Sequence, residues 1–193
     1  MTEDEPVGGA NRWARIALIA GLAYWTWQFA RTPLSDDAME SFLHLPDLVF
    51  HEAGHLIFSP LGQFMSVLGG SLMQVLIPVV CAIAFIKQEQ LFGAAICVWW
   101  AGQNLVDLAP YIADARALQI VLLGGRTGAE VEGHDWEYIL TRLRITHLDQ
   151  TLGRVSHALG ILIMIASLAF AGRTLMRKSG GAPTTRTLRR GVQ

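Results

Sequence analysis

Residues 56–86 read LIFSPLGQFMSVLGGSLMQVLIPVVCAIAFI, without one Asp, Glu, Lys or Arg. A helix crosses a bilayer when ~20 mostly apolar residues, each rising ~1.5 Å, cover a hydrocarbon core ~30 Å thick. This stretch exceeds that length. Shorter uncharged runs cover residues 16–30, 91–106 and 155–172. One such run can be a buried helix of a soluble core, but four in a chain of 193 residues point to a membrane. Composition agrees, with 52% hydrophobic and only 16% charged residues. The expected fold is all-α: a polytopic membrane helix bundle of about five hydrophobic segments.

Working outward from that stretch gives the organisation. Residues 1–11 form a polar N-terminal tail, 12–178 a single membrane domain, and 179–193 a basic tail whose composition predicts disorder. Segment 1 covers about 13–30, with Trp13, Trp25 and Trp27 placed as interfacial anchors. It ends in large aromatics rather than small residues, so it reads as a retained span and not a cleaved signal. Segment 2 (about 42–61) is less apolar and holds His44, Asp47, His51, Glu52 and His55. Segment 3 (about 64–86) contains Gly69, Gly70, Gln74 and Pro78. Segment 4 starts at Leu91 and turns polar around Gln103, Asn104, Asp107, Pro110 and Asp114. A proline among amides and carboxylates predicts one broken helix at about 103–116, tolerated in a membrane where it faces protein or a cavity. Residues 116–154 form an extramembrane piece in which Trp136, Leu140, Leu143, Leu148 and Leu152 recur at roughly helical spacing. That pattern predicts an interfacial amphipathic helix. Segment 5 covers about 155–175.

Charge sets the expected topology. The net charge is −1, yet Arg173, Arg177, Lys178, Arg186, Arg189 and Arg190 follow the last apolar run with no acid among them. Basic flanks lie on the cytoplasmic side, so the C-terminal tail is expected there. A solvated flank beside a bilayer explains this tail without nucleic acid as a partner. Cys81 and Cys97 fall within apolar runs at no paired spacing and read as small core residues.

The chemistry is carried by His51-Glu52-Ala53-Gly54-His55. On a helix, positions i and i+4 share a face, so two imidazoles stand side by side as zinc requires of two ligands. Glu52 is placed to act as general base on water that zinc has made acidic. An accidental match to this pattern is expected in roughly 0.8% of chains of this composition. A carboxylate at the bilayer centre costs ~2.5–3.5 kcal/mol, so the acids of segments 2 and 4 call for a compensating cation. One Zn2+ per chain is therefore the expected cofactor. His44 and Asp47 share the face of His51 and line a cavity, or Asp47 orients a ligand imidazole. For the third protein ligand the candidates are Asp107, Asp114, His134 and Asp135. Asp47, on the same helix in line with the histidines, cannot close a tetrahedron with them.

His51-Glu52-x-x-His55 in one membrane segment, followed by Asn104, Pro110 and Asp114 in a later one, resembles the site-2 protease family of intramembrane zinc metalloproteases. The resemblance covers about 42–116, a metalloprotease-like core of some two-fifths of the chain. It departs from the pattern after Asp114, where Ala115-Arg116 stands in place of the usual Gly. The family resemblance implies a small, divergent zinc metallopeptidase that hydrolyses a peptide bond in or near a membrane-spanning substrate helix. It implies Asp114 as third ligand, with Asp107, His134 and Asp135 as alternatives. The substrate helix must unwind to expose a carbonyl, and Gly69-Gly70 or segment 4 can offer it backbone or amide groups. Gln74 and Asn104 are candidate donors to a developing oxyanion. Two other functions fit the residue types: a His/Asp-lined proton or metal transporter, and a non-catalytic relative that binds membrane proteins.

Overall fold

The computed structural model describes residues 9–35 and 37–176 of the chain; their regular elements are helices, with one isolated β-bridge, Val121 with Thr127, in the loop of residues 114–134. The elements are α1 (Gly9–Arg31), α2 (Asp37–Glu40), α3 (His44–Phe58), α4 (Gln63–Lys87), α5 (Leu91–Ala113), α6 (Asp135–Arg142) and α7 (Asp149–Met176). Short 3-10 turns at Ser59–Leu61 and Thr146–Leu148 precede α4 and α7. Residues 1–8 of the polar N-terminal tail and the basic tail of residues 179–193 fall outside the described residues.

Among the described residues, three helical stretches are long and apolar enough to cross a membrane: Gln63–Lys87, Leu91–Ala113 and Thr146–Met176. Segment 1 is helical in α1 but diluted by arginines, tryptophans and a glutamine. Segment 2 is the 15-residue α3, about 22 Å long at 1.5 Å per residue and so too short to cross the core alone. Three candidate spans therefore stand among the described residues, where the sequence suggested about five segments.

Two further expectations change. α5 runs unbroken through Pro110 to Ala113. Pro110 sits in the last turn, where its missing N–H leaves only one carbonyl of the helix without its usual partner. The amphipathic pattern from Trp136 to Leu152 is not one helix. Arg144 takes a left-handed φ of 59° and turns the chain, so Leu148 falls in a 3-10 turn and Leu152 in α7. What remains is α6, and it docks on α4: Ile139 and Leu140 are buried with Ala115 against Phe64, Val67 and Leu68.

The packing order across the bundle is α3, α4, α5, α7, α1. α5 and α7 make the closest pair because small residues face each other. A Cβ on Gly160 would lie 2.5 Å from the Gly102 carbonyl oxygen and 2.7 Å from Val106 Cγ2, and one on Gly153 2.7 Å from the Ala109 carbonyl oxygen. Small residues let helix backbones approach where apolar lipid gives no hydrophobic drive to associate. Leu22, Phe29, Trp99, Val106 and Met164 form the main apolar cluster around this pair. Polar ties cross it: Trp99 Nε1 donates to Thr26 Oγ1 at 2.9 Å and His157 Nε2 to the Phe29 carbonyl at 2.9 Å.

This packing predicts opposite results for two alanine substitutions. Gly160→Ala should destabilise the folded protein in detergent by about 1–3 kcal/mol, because backbone and Val106 must give way. Gly21→Ala, with nothing within 4 Å of the added methyl, should leave stability unchanged or raise it by up to about 1 kcal/mol. Thermal or denaturant unfolding of the two variants checks the pair.

Candidate metal centre

The site begins with the contact between α3 and α4. A Cβ on Gly54 would overlap the Gly69 carbonyl oxygen, and one on Gly69 would lie 2.7 Å from the Gly54 carbonyl oxygen. The two backbones therefore touch. That contact presses the His51 and His55 face of α3 onto α4, with ring centroids 4.9 Å apart. Gly70 faces both rings: a Cβ there would stand 2.6 Å from His51 Nε2 and 2.7 Å from His55 Nε2.

Each imidazole is oriented from behind. His51 Nδ1 lies 2.9 Å from Gln74 Oε1, and Gln74 Nε2 donates to Asp107 Oδ2 at 2.8 Å. Asp107 only accepts, so the Gln74 amide must turn its NH2 toward Asp107 and its oxygen toward His51. His51 Nδ1 then carries the hydrogen, and Nε2 keeps its lone pair. Behind His55 the acceptor is the Ser66 carbonyl at 2.9 Å, while Ser66 Oγ donates back to the His55 carbonyl at 2.9 Å. His55 Nε2 likewise keeps a lone pair. Donation of the rear N–H to an acceptor is the usual way a ligating imidazole is held.

Both Nε2 atoms converge on Asp135. Its Oδ2 is 2.9 Å from His51 Nε2 and 3.3 Å from His55 Nε2. When no metal lies between them, protons on the facing imidazole nitrogens pair with Asp135 and outweigh the burial that pushes its carboxyl up, so the group lies below the usual carboxylate range. Three ligand atoms lie within 4.8 Å of one another, and the group could hold a metal ion. Tetrahedral ligands at ~2.0–2.2 Å from zinc stand ~3.3–3.5 Å apart, close to the spacing here. Three acceptors facing one point also repel one another unless a cation or protons lie between them. A methyl at Gly70 would crowd the space that both ligand nitrogens face. Oxygen and imidazole donors without thiolate suit zinc among other divalent metals.

The residues expected from the sequence take distinct places. Glu52 is exposed and lines a cavity of about 630 Å³ together with His44, His51, His55, Asp107, Tyr111 and Asp135. Asp114 does not join the histidines. Its oxygens accept the backbone N–H groups of Gln119 and Ile120, each at 2.9 Å, and Oδ2 lies 3.4 Å from His134 Nε2. It caps the turn after α5 and so fixes the loop that leads to Asp135. His134 caps α6, its Nδ1 accepting from the Glu137 N–H at 3.2 Å. That leaves its Nε2–H turned toward Asp114 and no lone pair for a metal. Burial holds this imidazole below its usual value, against the pull of Asp114. Asp107 is tied to Gln74 and to His44 Nδ1 at 2.9 Å. Gln74 has both ends of its amide engaged behind His51. Asn104 donates to the Trp100 carbonyl at 2.9 Å, and Asp47 accepts from Trp100 Nε1 at 2.7 Å.

Sequence spacing gave no sign of two features. Gly70 is the floor under both ligand nitrogens. Tyr111 accepts the Asp135 backbone N–H at 2.9 Å and so helps set the carboxylate that faces both imidazoles. No family model, curated protein or solved structure matches the chain.

Metal affinity should rank substitutions by this geometry. Gly70→Ala and Asp135→Ala should each lose more than 100-fold in zinc affinity, one by filling the site and the other by removing a donor. Gln74→Leu should lose about 10–100-fold, the usual scale for a group that orients a ligand. Asp114→Asn should lose less than Asp135→Ala. Competition with a chromogenic chelator in detergent gives all four values.

Proposed function

We propose that this protein is an integral membrane zinc metallopeptidase that cleaves a peptide bond in or near a membrane-spanning substrate helix. The observation that carries this reading is the convergence of His51, His55 and Asp135 at one wall of a cavity that Glu52 also lines. A zinc ion held by those three residues supplies Lewis acidity, bringing the pKa of water toward ~7 and polarising a carbonyl. Asp135 rather than Asp114 is then the third ligand.

The chain's own residues supply the rest. Glu52 takes a proton from the attacking water as its oxygen bonds to the scissile carbonyl carbon. Glu52 then passes that proton to the amide nitrogen, which leaves as an amine when the C–N bond breaks. Gln74 and Ser66 keep both imidazoles turned so that the same nitrogens face the reaction throughout. Exposure of Glu52 to the cavity, while His51 and Asp135 are buried, separates a base that must meet water from ligands that must not. The basic C-terminal end is proposed to lie on the cytoplasmic side, which a reporter fused after Gln193 reads directly.

The test is metal content and peptide cleavage measured on the same preparations. Wild-type protein should hold about one zinc per chain and cleave a fluorogenic peptide of membrane-helix sequence. His51→Ala and His55→Ala should lose both properties. Glu52→Gln should keep the zinc and lose cleavage. Cleavage that persists in Glu52→Gln, or in metal-free wild type, contradicts the reading.

A further inference from the structure

Tyr111 stands in an unusual position on the cavity-facing side of α5. Its ring lies between His51 and His134, with centroids 6.2 Å and 4.4 Å away. Its hydroxyl oxygen accepts the Asp135 backbone N–H. A phenol both accepts and donates, and a Tyr hydroxyl in a packed setting usually finds a partner for each role. Among the described residues only the accepting half is filled: no acceptor takes the Tyr111 hydroxyl hydrogen. The ring lines the cavity shared by Glu52 and the three ligand residues, so that hydrogen is available to a group inside it.

Hydrolysis creates the need for such a donor. As water adds, the scissile carbonyl oxygen gains negative charge, and a preorganised donor beside it lowers the barrier more than it aids ground-state binding. Gln74 and Asn104, the amides best suited by residue type, are unsuitable here. Both Gln74 ends are bonded behind His51, and the Asn104 NH2 is spent on the Trp100 carbonyl. Tyr111 is fixed by its bond to the Asp135 backbone, one residue's span from the carboxylate that faces both ligand imidazoles. We infer that Tyr111 is a catalytic residue that donates its hydroxyl hydrogen to the scissile carbonyl oxygen as that oxygen becomes negative. The inference rests on the peptidase reading above. The proton stays on the phenol throughout, so no other step of the hydrolysis changes.

Tyr111→Phe keeps the ring and removes the hydroxyl. Three quantities are measured on zinc-loaded wild type and variant: zinc per chain, kcat and KM for the fluorogenic membrane-helix peptide, and affinity for a phosphinate analogue of its scissile bond. With zinc in excess, enough to offset the weaker hold on Asp135, the variant should carry one zinc per chain and keep its KM, while kcat falls about 10²–10³-fold, the usual effect of removing one oxyanion donor. Affinity for the phosphinate, whose oxygen imitates the charged carbonyl oxygen, should fall by a similar factor. Unchanged kcat and phosphinate affinity overturn the inference. So does loss of zinc, which would make Tyr111 a support for Asp135 only. An equal loss in KM and phosphinate affinity, with kcat kept, also overturns it. Wild-type protein that holds zinc and cleaves nothing, yet binds the phosphinate no better than the parent peptide, overturns the peptidase reading itself.

Discussion

Asp135 and His51 are 84 positions apart in the chain and 2.9 Å apart in space. Much of the architecture around the cavity serves that proximity. A buried carboxylate is costly unless it is paired, and two imidazoles with lone pairs aimed inward do not pair it by themselves. The point where they meet demands positive charge. Protons or a metal ion can meet that demand, and the group could hold a metal ion. Gln74, Ser66 and Tyr111 each fix one member of the trio through a hydrogen bond of 2.9 Å.

The helices are arranged to keep this geometry stiff. Contact between Gly54 and Gly69 sets the distance of α3 from α4, and Gly70 leaves the space between the imidazoles and α4 open. The docking of Ile139 and Leu140 beside Phe64, Val67 and Leu68 brings the start of α6 to the same spot. Asp114 and His134 then hold the chain on either side of the loop. α5, packed closely against α7, is the common platform for Asp107, Tyr111 and Asp114. Polar side chains on that helix face the cavity and its supporting loop, and the glycine-matched side faces α7.

Local relations were legible in the sequence and long-range ones were not. The i, i+4 spacing of His51 and His55 is a property of one helix, so it could be read directly, as could the long apolar blocks that became α4, α5 and α7. Asp135 could be named only as one of several alternatives. Its place depends on α6 docking onto α4, which no periodicity announces. Asp114 was favoured by motif order, yet its carboxylate is taken by two backbone amides of a turn that cannot be foreseen residue by residue. Pro110 suggested a break because helix interiors reject proline, but three residues from a helix end the penalty is one missing hydrogen bond. The run from Trp136 to Leu152 looked like a single amphipathic helix until the left-handed backbone at Arg144 divided it.

Whether two imidazoles and one carboxylate hold a single metal ion can be read without reference to activity, by X-ray absorption at the zinc edge of the purified, zinc-replete protein. Four light donors are expected, with two imidazole nitrogens at ~2.0–2.1 Å and oxygens at ~2.0–2.2 Å. Replacing Asp135 with Ala should change the oxygen shell and leave the two-imidazole signature in whatever metal remains. A spectrum with one imidazole, with sulfur at ~2.3 Å, or unchanged by Asp135→Ala would contradict a single metal ion on these three residues.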